Sequence, residues 1–300
     1  MEETVKGAAG GQTDDYELLD SGDGRKLERF GQVTLARPCS QAMWRPQLPE
    51  SAWSRASASF DREDGNRWHG RSRLPESWSI TAAGIRFRLS GTDFGHLGIF
   101  PEQRAQWEWV RRMVGEPGTG NGERRRMSVL NLFAYSGGST IAAAQGGAEV
   151  CHLDAAKGMV QWARENAALN GLSAHPIRWI VDDAHKFLRR EVRRERRYDA
   201  VILDPPTFGR GANGETYKIE RDLKETFGLV KDVLSDDPLF VLFSSHTPGL
   251  SCRAAENILA CEFPAAKIET GEMLLEGDGG VLACPSGVYG RAVFARGAAK

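Results

Sequence analysis

The chain has 300 residues, of which 41% are hydrophobic and 26% are charged, and its formal net charge is −1. These values are typical of a globular protein, and the length allows one large domain and a smaller one. No apolar run reaches the roughly 18 residues of a transmembrane helix, and the near-zero charge excludes a globally basic nucleic-acid-binding chain. The N-terminus also lacks the pattern of a secretory signal, so we predict a cytoplasmic protein that binds no membrane.

The N-terminal part of the chain shows little helical periodicity. Residues 1–15 are rich in Gly and acidic side chains, and we predict that they are disordered. From 16 to 92, alternating segments such as Gln32–Leu35 and Gly84–Leu89 predict the strands and hairpins of a small auxiliary β domain. This region has four notable tryptophans, Trp44, Trp53, Trp68 and Trp78. Such rings can stack on nucleobases, but a small core needs large side chains, so core packing is favoured.

From 93 to 300 the pattern changes to strands that alternate with helices, which predicts an α/β domain with a doubly wound, parallel sheet. The predicted strands are Val129–Phe133, Glu149–Asp154, Ile177–Val181, Ala200–Asp204 and Leu239–Phe243. The predicted helices are Glu102–Val114, Ser139–Gly146, Lys157–Asn170, Ala184–Arg197 and Glu220–Leu234. Gly171 follows the third helix as a C-cap signal.

A turn of small residues, within Asn131–Thr140, joins the first of these strands to an Ala-rich helix. Gly137 and Gly138 in this turn would let the backbone approach a ligand closely. The turn has neither the G-x-G-x-x-G pattern that binds a dinucleotide nor the G-x-x-x-x-G-K-[ST] pattern that binds a triphosphate. The sequence therefore favours a cofactor that contains adenosine and no phosphate.

Three segments carry a resemblance to a known family. Asn131–Thr140 and the run Asp204-Pro205-Pro206-Thr207-Phe208 resemble the first and fourth motifs of class I S-adenosylmethionine-dependent methyltransferases. His96–Arg104 is similar to the segment before the first strand in the family of large-subunit ribosomal RNA cytosine-5 and guanine-7 methyltransferases, and the similarity extends roughly from Asp93 to Phe294. It implies a Rossmann-like, seven-stranded sheet, S-adenosylmethionine as cofactor, and a base of ribosomal RNA as methyl acceptor.

The resemblance places the cofactor against the first turn and the strand ends that follow it. The implied contacts in the turn are Phe133, Ala134, Tyr135, Ser136 and Gly137. Asp154 ends the second strand about twenty residues beyond the glycines, which is the spacing of a carboxylate that binds a ribose diol. A helix N-cap is the alternative role for Asp154.

Two further parts of the cofactor site are implied by the resemblance. Asp182 or Asp183, after the third strand, would contact the adenine amino group, and an N-cap is again the alternative. Gln103 and Arg104 lie in the segment that approaches the methionine end of the cofactor in relatives. Arg104 would pair with the methionine carboxylate, or it would be an ordinary surface arginine. Relatives commonly have a Lys before the Gly of this segment, where this chain has His96 and Leu97.

The predicted catalytic residues are Asp204, Pro205, Pro206 and Phe208. The two prolines stiffen the exit of the fourth strand. In related methyltransferases this turn faces both the methyl donor and the acceptor base, so Asp204 belongs to the cofactor site as well. A buried structural carboxylate is the alternative for Asp204, and Phe208 would either stack on the base or pack its own loop.

The acceptor atom depends on how it is activated. Cytosine carbon 5 requires a cysteine nucleophile, which in the cytosine-5 relatives follows the fifth strand, whereas the matching stretch here, Leu242–Pro248, contains none. A guanine ring nitrogen needs only orientation, and an exocyclic amine could donate hydrogens to Asp204 and the Pro205 carbonyl. Either nitrogen is therefore favoured over carbon 5. His246 is a candidate base, but a structural, hydrogen-bonded histidine is favoured.

The remaining features concern partners. The cysteines Cys39, Cys151, Cys252, Cys261 and Cys284 show no C-x-x-C spacing, so we predict free thiols and no metal site. Lys186–Arg197 carries seven cations on a predicted helix, which is a candidate RNA contact, although a solvated face is favoured. RNA is the predicted partner, and the oligomeric state stays open. The competing hypotheses are methyl transfer to a small molecule or protein, and cofactor binding without turnover.

Overall fold

The computed structural model describes residues 14–62, 65–116, 125–211 and 214–295. Within these ranges the strands form one seven-stranded sheet, one five-stranded sheet and two separate hairpins. The predicted disorder of residues 1–13 lies outside the described residues. Asp14 and Asp15 are ordered against the second N-terminal hairpin, since the Asp15 amide donates to the Thr81 carbonyl at 2.8 Å.

The N-terminal region consists of short strands, as predicted, and all pair antiparallel except β3 with β4. Its elements are β1 (Tyr16–Gly22), β2 (Arg25–Phe30), β3 (Val33–Pro38), α1 (Glu50–Trp53), β4 (Ala58–Asp61), β5 (Arg67–His69), β6 (Trp78–Ala82) and β7 (Ile85–Leu89). Strands β1 to β5 form the five-stranded sheet in chain order, and β6 pairs with β7. Ile85, Phe87 and Leu89 are fully buried on one side of β7, which confirms the alternation read from the sequence.

The tryptophans of this region pack inside it. Their indole Nε1 atoms donate to protein oxygens in every case: Trp44 to the Ser21 carbonyl at 2.9 Å, Trp53 to the Asp20 carboxylate at 3.3 Å, Trp68 to the Thr92 carbonyl at 2.7 Å and Trp78 to the Phe30 carbonyl at 3.1 Å. A buried indole needs such a partner. Trp53 is buried, and the other three are partly buried and pack against the core, which agrees with the predicted core packing.

The α/β region follows the predicted order of helices and strands. Its elements are α2 (Arg104–Gly115), β8 (Ser128–Leu132), α3 (Gly138–Gln145), β9 (Glu149–Asp154), α4 (Lys157–Leu169), β10 (Ile177–Val181), α5 (Ala184–Arg193), β11 (Ala200–Leu203), β12 (Phe208–Arg210), β13 (Thr216–Lys218), α6 (Ile219–Val233), β14 (Phe240–Ser245), α7 (Cys252–Glu262), β15 (Lys267–Leu275) and β16 (Cys284–Val293). The seven-stranded sheet has the order β10-β9-β8-β11-β14-β16-β15.

The first five strands of this sheet are parallel, whereas β16 runs antiparallel to both β14 and β15. The Rossmann-like, seven-stranded fold is thus confirmed, with one correction, because the sheet is mixed rather than wholly parallel. The sequence did not predict β15 and β16. Gly271 in β15 and Gly287 and Gly290 in β16 are the reason, since glycine has low strand propensity and interrupts the apolar pattern.

The N-terminal region is fixed against the α/β region. Side-chain oxygens of Asn170 and Asn166, at the end of α4, accept hydrogen bonds at 2.9 Å from the backbone amides of Arg86 and Arg88 in β7. The ring of Phe87 lies 5.0 Å from that of Trp107 in α2. The buried core is therefore continuous across the proposed boundary near residue 92, and both regions form the walls of one cleft.

Strand β8 lies at the centre of the sheet, with β9 and β10 on one side and β11 and β14 on the other. The chain therefore leaves the strand ends in opposite directions on the two sides of β8. In open α/β sheets, ligands bind at such a switch point, beyond the carboxyl ends of the strands. Asp154 at the end of β9 and Asp204 after β11 flank this point, as the sequence predicted.

Candidate active site

A cleft of about 820 Å³ opens at the carboxyl ends of the parallel strands. This volume lies in the range of sites that enclose a cofactor-sized ligand. One wall comes from the strand ends and their loops, and it includes Phe133, Tyr135, Asp154, Asp182, Asp183, Asp204, Pro205 and Pro206. The opposite wall comes from the N-terminal sheet and the segment after it, and it includes Arg37, Phe60, Arg62, Phe94, His96 and Phe100.

The turn after β8 has an unusual backbone. Phe133, Tyr135 and Gly137 have φ angles of 54°, 50° and 91°, so three of five successive residues are left-handed. Positive φ is uncommon for residues other than glycine, and such strain concentrates at binding sites. Phe133 and Tyr135 line the cleft. Ala134, Ser136 and Gly137, which the sequence assigned to the same site, are buried behind them.

The glycines of this turn also have a packing role that the sequence analysis did not include. A Cβ atom on Gly137 would lie 2.9 Å from the Cβ of Ala163 in α4, and one on Gly138 would lie 2.6 Å from the Trp107 ring in α2. Both distances are too short for real atoms. The two glycines therefore allow α3 to pack closely against its neighbouring helices.

Asp154 is held at the strand end by backbone amides. Its two carboxylate oxygens each accept a hydrogen bond of 2.9 Å, one from the Tyr135 amide and the other from the Ala156 amide. Burial raises the pKa of Asp154 above its ordinary value, although both amides oppose this effect. Helix α4 begins after Ala156, so Asp154 is not its N-cap. The carboxylate is oriented in the cleft wall beside the turn.

The two candidates for the adenine contact differ in their surroundings. Asp183 is the N-cap of α5, because its carboxylate accepts from the Lys186 amide at 2.9 Å. Asp182 pairs with Arg190 and lines the cleft. The preceding residue, Val181, is 47% exposed, which is high for a large apolar side chain. The N-cap alternative thus applies to Asp183, and Asp182 stands beside an uncovered apolar surface.

A side-chain network surrounds Asp204. Gln103 Nε2 donates to Asp204 Oδ2 at 3.2 Å and to Ser244 Oγ at 2.9 Å. His246 Nδ1 lies 3.5 Å from Asp204 Oδ1, and His246 Nε2 lies 3.1 Å from Glu102 Oε1. The segment before α2 and the loop after β14 therefore meet at the exit of β11.

The network controls the charge of His246. Burial by itself would lower the pKa of His246, but the carboxylates of Asp204 and Glu102 raise it to about 10. Burial would raise the pKa of Glu102, but the hydrogen bond and charge of His246 lower it instead. His246 is consequently protonated at neutral pH and cannot accept a proton there. The structural role favoured from the sequence agrees with this geometry.

Phe208 and Arg104 differ from the other predicted site residues. Phe208 lies in β12, is 48% exposed, and stands between Thr207 and Gly209, which both line the cleft. The Arg104 guanidinium lies 2.9 Å from the Asp14 carboxylate, and it turns away from the cleft. Arg104 is therefore an ordinary surface arginine in this structure rather than a residue placed to pair with the methionine carboxylate. Neighbouring Gln103 reaches the cleft side through Asp204.

Glu102 had no predicted role, and its pairing with His246 was not predicted. Glu102 is 7% exposed, which is rare for a glutamate unless its charge is paired. The only signal in the sequence was its position within the segment His96–Arg104. Its partner lies 144 residues further along the chain, and only the fold brings the two together.

The cations of α5 are largely neutralised. Lys186 pairs with Glu215, Arg189 with Glu225 and Arg190 with Asp182. This agrees with the solvated face favoured from the sequence. In the described part of the chain, no group of three or more His, Cys, Asp or Glu side chains could hold a metal ion. The helices described there also lack the length and apolar character that crossing a membrane requires.

The residues present suit a nucleoside-type cofactor. Asp204 lines the cleft, and its carboxylate is held there by Gln103 and His246. Asp154 offers an oriented carboxylate on the other side of β8, and Val181 offers apolar surface beside Asp182. No phosphate-binding pattern is present in the turn between them.

Comparisons with known proteins agree with this geometry. A solved S-adenosylmethionine-dependent methyltransferase from Agrobacterium tumefaciens is 35% identical, with a TM-score of 0.86 over 94% of this chain and 91% of that one. A structure from Streptococcus mutans, 18% identical, shares the fold with a TM-score of 0.71 over 95% of this chain and 76% of that one. The ribosomal RNA large subunit methyltransferase K/L of Shewanella frigidimarina is 33% identical over 162 residues, 51% of this chain and 20% of the relative.

The chain thus spans about a fifth of the length of the curated relatives it matches. A family model for S-adenosylmethionine-dependent methyltransferases matches residues 59–234, more than half of the chain. This match includes the turn after β8 and the strand ends that carry Asp154, Asp182 and Asp204. The chain belongs to the S-adenosylmethionine-dependent methyltransferase family.

Proposed function

We propose that this enzyme methylates a nitrogen atom of an RNA base, and that the RNA is ribosomal. S-adenosylmethionine is its cofactor, as family membership establishes. The proposal of an RNA acceptor is supported by the relatives that are ribosomal RNA large subunit methyltransferases. The observation that carries the choice of a nitrogen acceptor is the Asp204–His246–Glu102 network.

Several of the implied cofactor contacts are supported by residues that line the cleft. When bound, S-adenosylmethionine supplies a methyl group on a positively charged sulfur, which is a good leaving group. Asp154 would accept hydrogen bonds from the ribose hydroxyls, because backbone amides already orient its carboxylate. Asp182, which lines the cleft, would accept from the adenine amino group. Arg104 is left out of this proposal because it pairs with Asp14.

Asp204 would act on the acceptor side. A nitrogen that receives a methyl group gains positive charge, and a carboxylate beside it stabilises that charge in a site from which water is excluded. His246 lies beside one oxygen of the Asp204 carboxylate, and Gln103 donates to the other. With Glu102, the network has two carboxylates and one imidazolium, hence one net negative charge. The protein supplies mainly alignment and this charge.

The cysteines near the cleft do not favour attack on cytosine carbon 5. A cysteine nucleophile must be a thiolate. Cys252 lines the cleft, but burial and the Glu272 carboxylate raise the pKa of its thiol. The pKa of Cys39 is lowered by its hydrogen bond with Cys284, but Cys39 follows β3 and not the fifth parallel strand, β14. Neither thiol lies in the Asp204 network.

The test is to incubate the purified enzyme with labelled S-adenosylmethionine and total RNA, and to digest the RNA to nucleosides for mass spectrometry. We expect label in ribosomal RNA as a nitrogen-methylated nucleoside. The Cys39→Ser and Cys252→Ser variants should retain this activity, because no covalent intermediate is needed. Asp204→Asn serves as the inactive control.

Two other outcomes would each contradict a different part of the proposal. Label in 5-methylcytidine, lost in one cysteine variant, would contradict the nitrogen acceptor. Label that enters only small molecules or proteins would contradict the RNA acceptor.

A further inference from the structure

Two phenylalanine rings are exposed on opposite sides of the cleft mouth. Phe94 is 71% exposed and lines the cleft from the N-terminal wall. Phe208 is 48% exposed, between two residues that line the strand-end wall. Proteins bury most of their large aromatic side chains, so exposed rings beside a cleft indicate a surface that contacts a partner.

Each ring has an arginine on its own side of the cleft. Arg210 lines the cleft, and its guanidinium lies 5.6 Å from the centre of the Phe208 ring. Arg62 lines the N-terminal wall and is exposed. Neither has a carboxylate partner among the residues described, in contrast to the paired cations of α5. Within the described ranges, both guanidinium groups can thus face an external anion.

We propose that Phe94, Phe208, Arg62 and Arg210, here called the mouth residues, bind single-stranded RNA. This inference rests on the proposed RNA acceptor and names how that RNA is held. The two rings would stack on bases next to the target base, and the two arginines would contact phosphates. Stacking on aromatic side chains with cationic support is a general way to bind unpaired nucleic acid.

The geometry favours a single strand over a duplex. A base can enter a cleft bounded by two walls only when it is unpaired or rotated out of the helix. Once the target base has left the stack, the rings on the two walls could stack on the neighbouring bases in its place. A small-molecule acceptor would need neither exposed ring, because it would be enclosed deeper in the cleft.

The test measures the binding of a fluorescein-labelled, single-stranded RNA of mixed sequence, and of the same RNA as a duplex, by anisotropy. We expect tighter binding of the single strand, and Phe94→Ala and Phe208→Ala should each weaken it about tenfold. Arg62→Gln and Arg210→Gln should each lower the slope of log Kd against log salt by about one. The affinity for S-adenosylmethionine should not change.

Leu48→Ala is the matched control, because Leu48 is 38% exposed on the N-terminal region and does not line the cleft. It should bind RNA like the wild type. If the wild type binds and methylates RNA and both phenylalanine variants bind it equally well, the mouth residues have no such role. If the wild type binds no RNA, the proposed acceptor itself is wrong, and the inference is withdrawn with it.

A second inference comes from an independent observation. Cys39 follows β3 and Cys284 begins β16, and their Sγ atoms lie 2.8 Å apart although 245 positions separate them in the sequence. Cys39 is half-buried and lines the cleft, whereas Cys284 is fully buried. The hydrogen bond from Cys284 lowers the pKa of Cys39 to about 6. An accessible thiolate beside a second thiol is the arrangement of an oxidisable pair.

We infer that a peroxide converts Cys39 and Cys284 to a disulfide. The Cys39 thiolate attacks one oxygen of hydrogen peroxide, the O–O bond breaks, and hydroxide leaves, so that sulfur is oxidised to a sulfenic acid. The Cys284 thiol then attacks that sulfur, the S–S bond forms, and water leaves with the thiol proton. A dithiol reductant reverses the change by exchange. The bond would link the end of β3 covalently to β16. Residues adjacent to each of the two cysteines line the cleft.

The test treats the purified enzyme with hydrogen peroxide, blocks free thiols with iodoacetamide and maps peptides by mass spectrometry. We expect a linked Cys39–Cys284 peptide that dithiothreitol removes, and a melting temperature that rises with oxidation and returns on reduction. Cys252→Ala, the control, should form the same linked peptide. If Cys39 is found only as a sulfinic or sulfonic acid, or unmodified while exposed Cys261 is oxidised, the inference is wrong.

Discussion

The cleft has two ends that occupy equivalent positions in the sheet but are built differently. At the Asp154 end, defined by Asp154 and the turn after β8, backbone amides hold the carboxylate. At the Asp204 end, defined by Asp204 and its network, the side chains of Gln103 and His246 hold it. The first arrangement is rigid and local. The second depends on segments that are distant in sequence.

This difference in how the two carboxylates are held suggests different roles for the two ends, cofactor binding at one and methyl transfer at the other. Backbone amides orient a carboxylate but add no titratable group, which suits a ligand that is bound in the same way through each turnover. A side-chain network sets the charge of its members, as the raised pKa of His246 demonstrates. We therefore assign cofactor affinity to the Asp154 end and turnover to the Asp204 end, and the following variants test that division.

Asp204→Asn should have the largest effect. It removes the charge and keeps the shape, so turnover should fall about a hundredfold or more, while the dissociation constant of the cofactor changes less than about threefold. Steady-state kinetics and calorimetry measure the two quantities. Asp232→Asn, on the exposed face of α6, is the control. Undiminished turnover would remove Asp204 from the acceptor side.

Gly137→Ala should disturb the Asp154 end through its backbone. The new Cβ would meet Ala163 at 2.9 Å, and φ is 91°, so we expect the free energy of unfolding to fall by about 2 kcal/mol or more. Gly158→Ala is the control, because nothing lies within 4 Å of a Cβ there. Urea denaturation measures both. Equal stability of the two variants would refute the packing role of Gly137.

Asp154→Ala should weaken cofactor binding more than tenfold, which is about 1.4 kcal/mol. Turnover at saturating cofactor should change much less than in Asp204→Asn, and this contrast is the sharpest test of the comparison. Glu149→Ala, at the opposite end of β9, is the matched control. Calorimetry that finds unchanged affinity would remove Asp154 from the ribose role.

His246→Gln should have the smallest effect, and the effect should depend on pH. The pKa of His246 is raised from 6.5 to about 10, so its stabilising contribution is complete below pH 6.5 and is lost as pH rises toward 10. We expect the variant to be about 1 kcal/mol less stable near pH 6 and equal to the wild type near pH 10. Denaturation of both proteins across this range measures the difference. A stability difference between variant and wild type that grows as pH rises would contradict this prediction.

Much of the fold could be predicted from the sequence where patterns are local. The five parallel strands alternate with helices of regular period, and the predicted bounds of β9 and β10 match the structure. The positions of Asp154 and Asp204 followed from the same pattern, since a parallel sheet brings its carboxyl ends together. The pair β15–β16 was missed because glycines interrupt it.

The sequence alone determined the five parallel strands, the turn and the two strand-end carboxylates, because helical and strand periods, turn residues and proline act over a few positions. Only the tertiary structure decided what surrounds each carboxylate. It paired Glu102 with His246 and Arg104 with Asp14, made Asp183 a helix cap, and brought Phe94 and the loop around Phe208 to one cleft. These outcomes depend on contacts between segments far apart in the chain, whose distances no local pattern encodes.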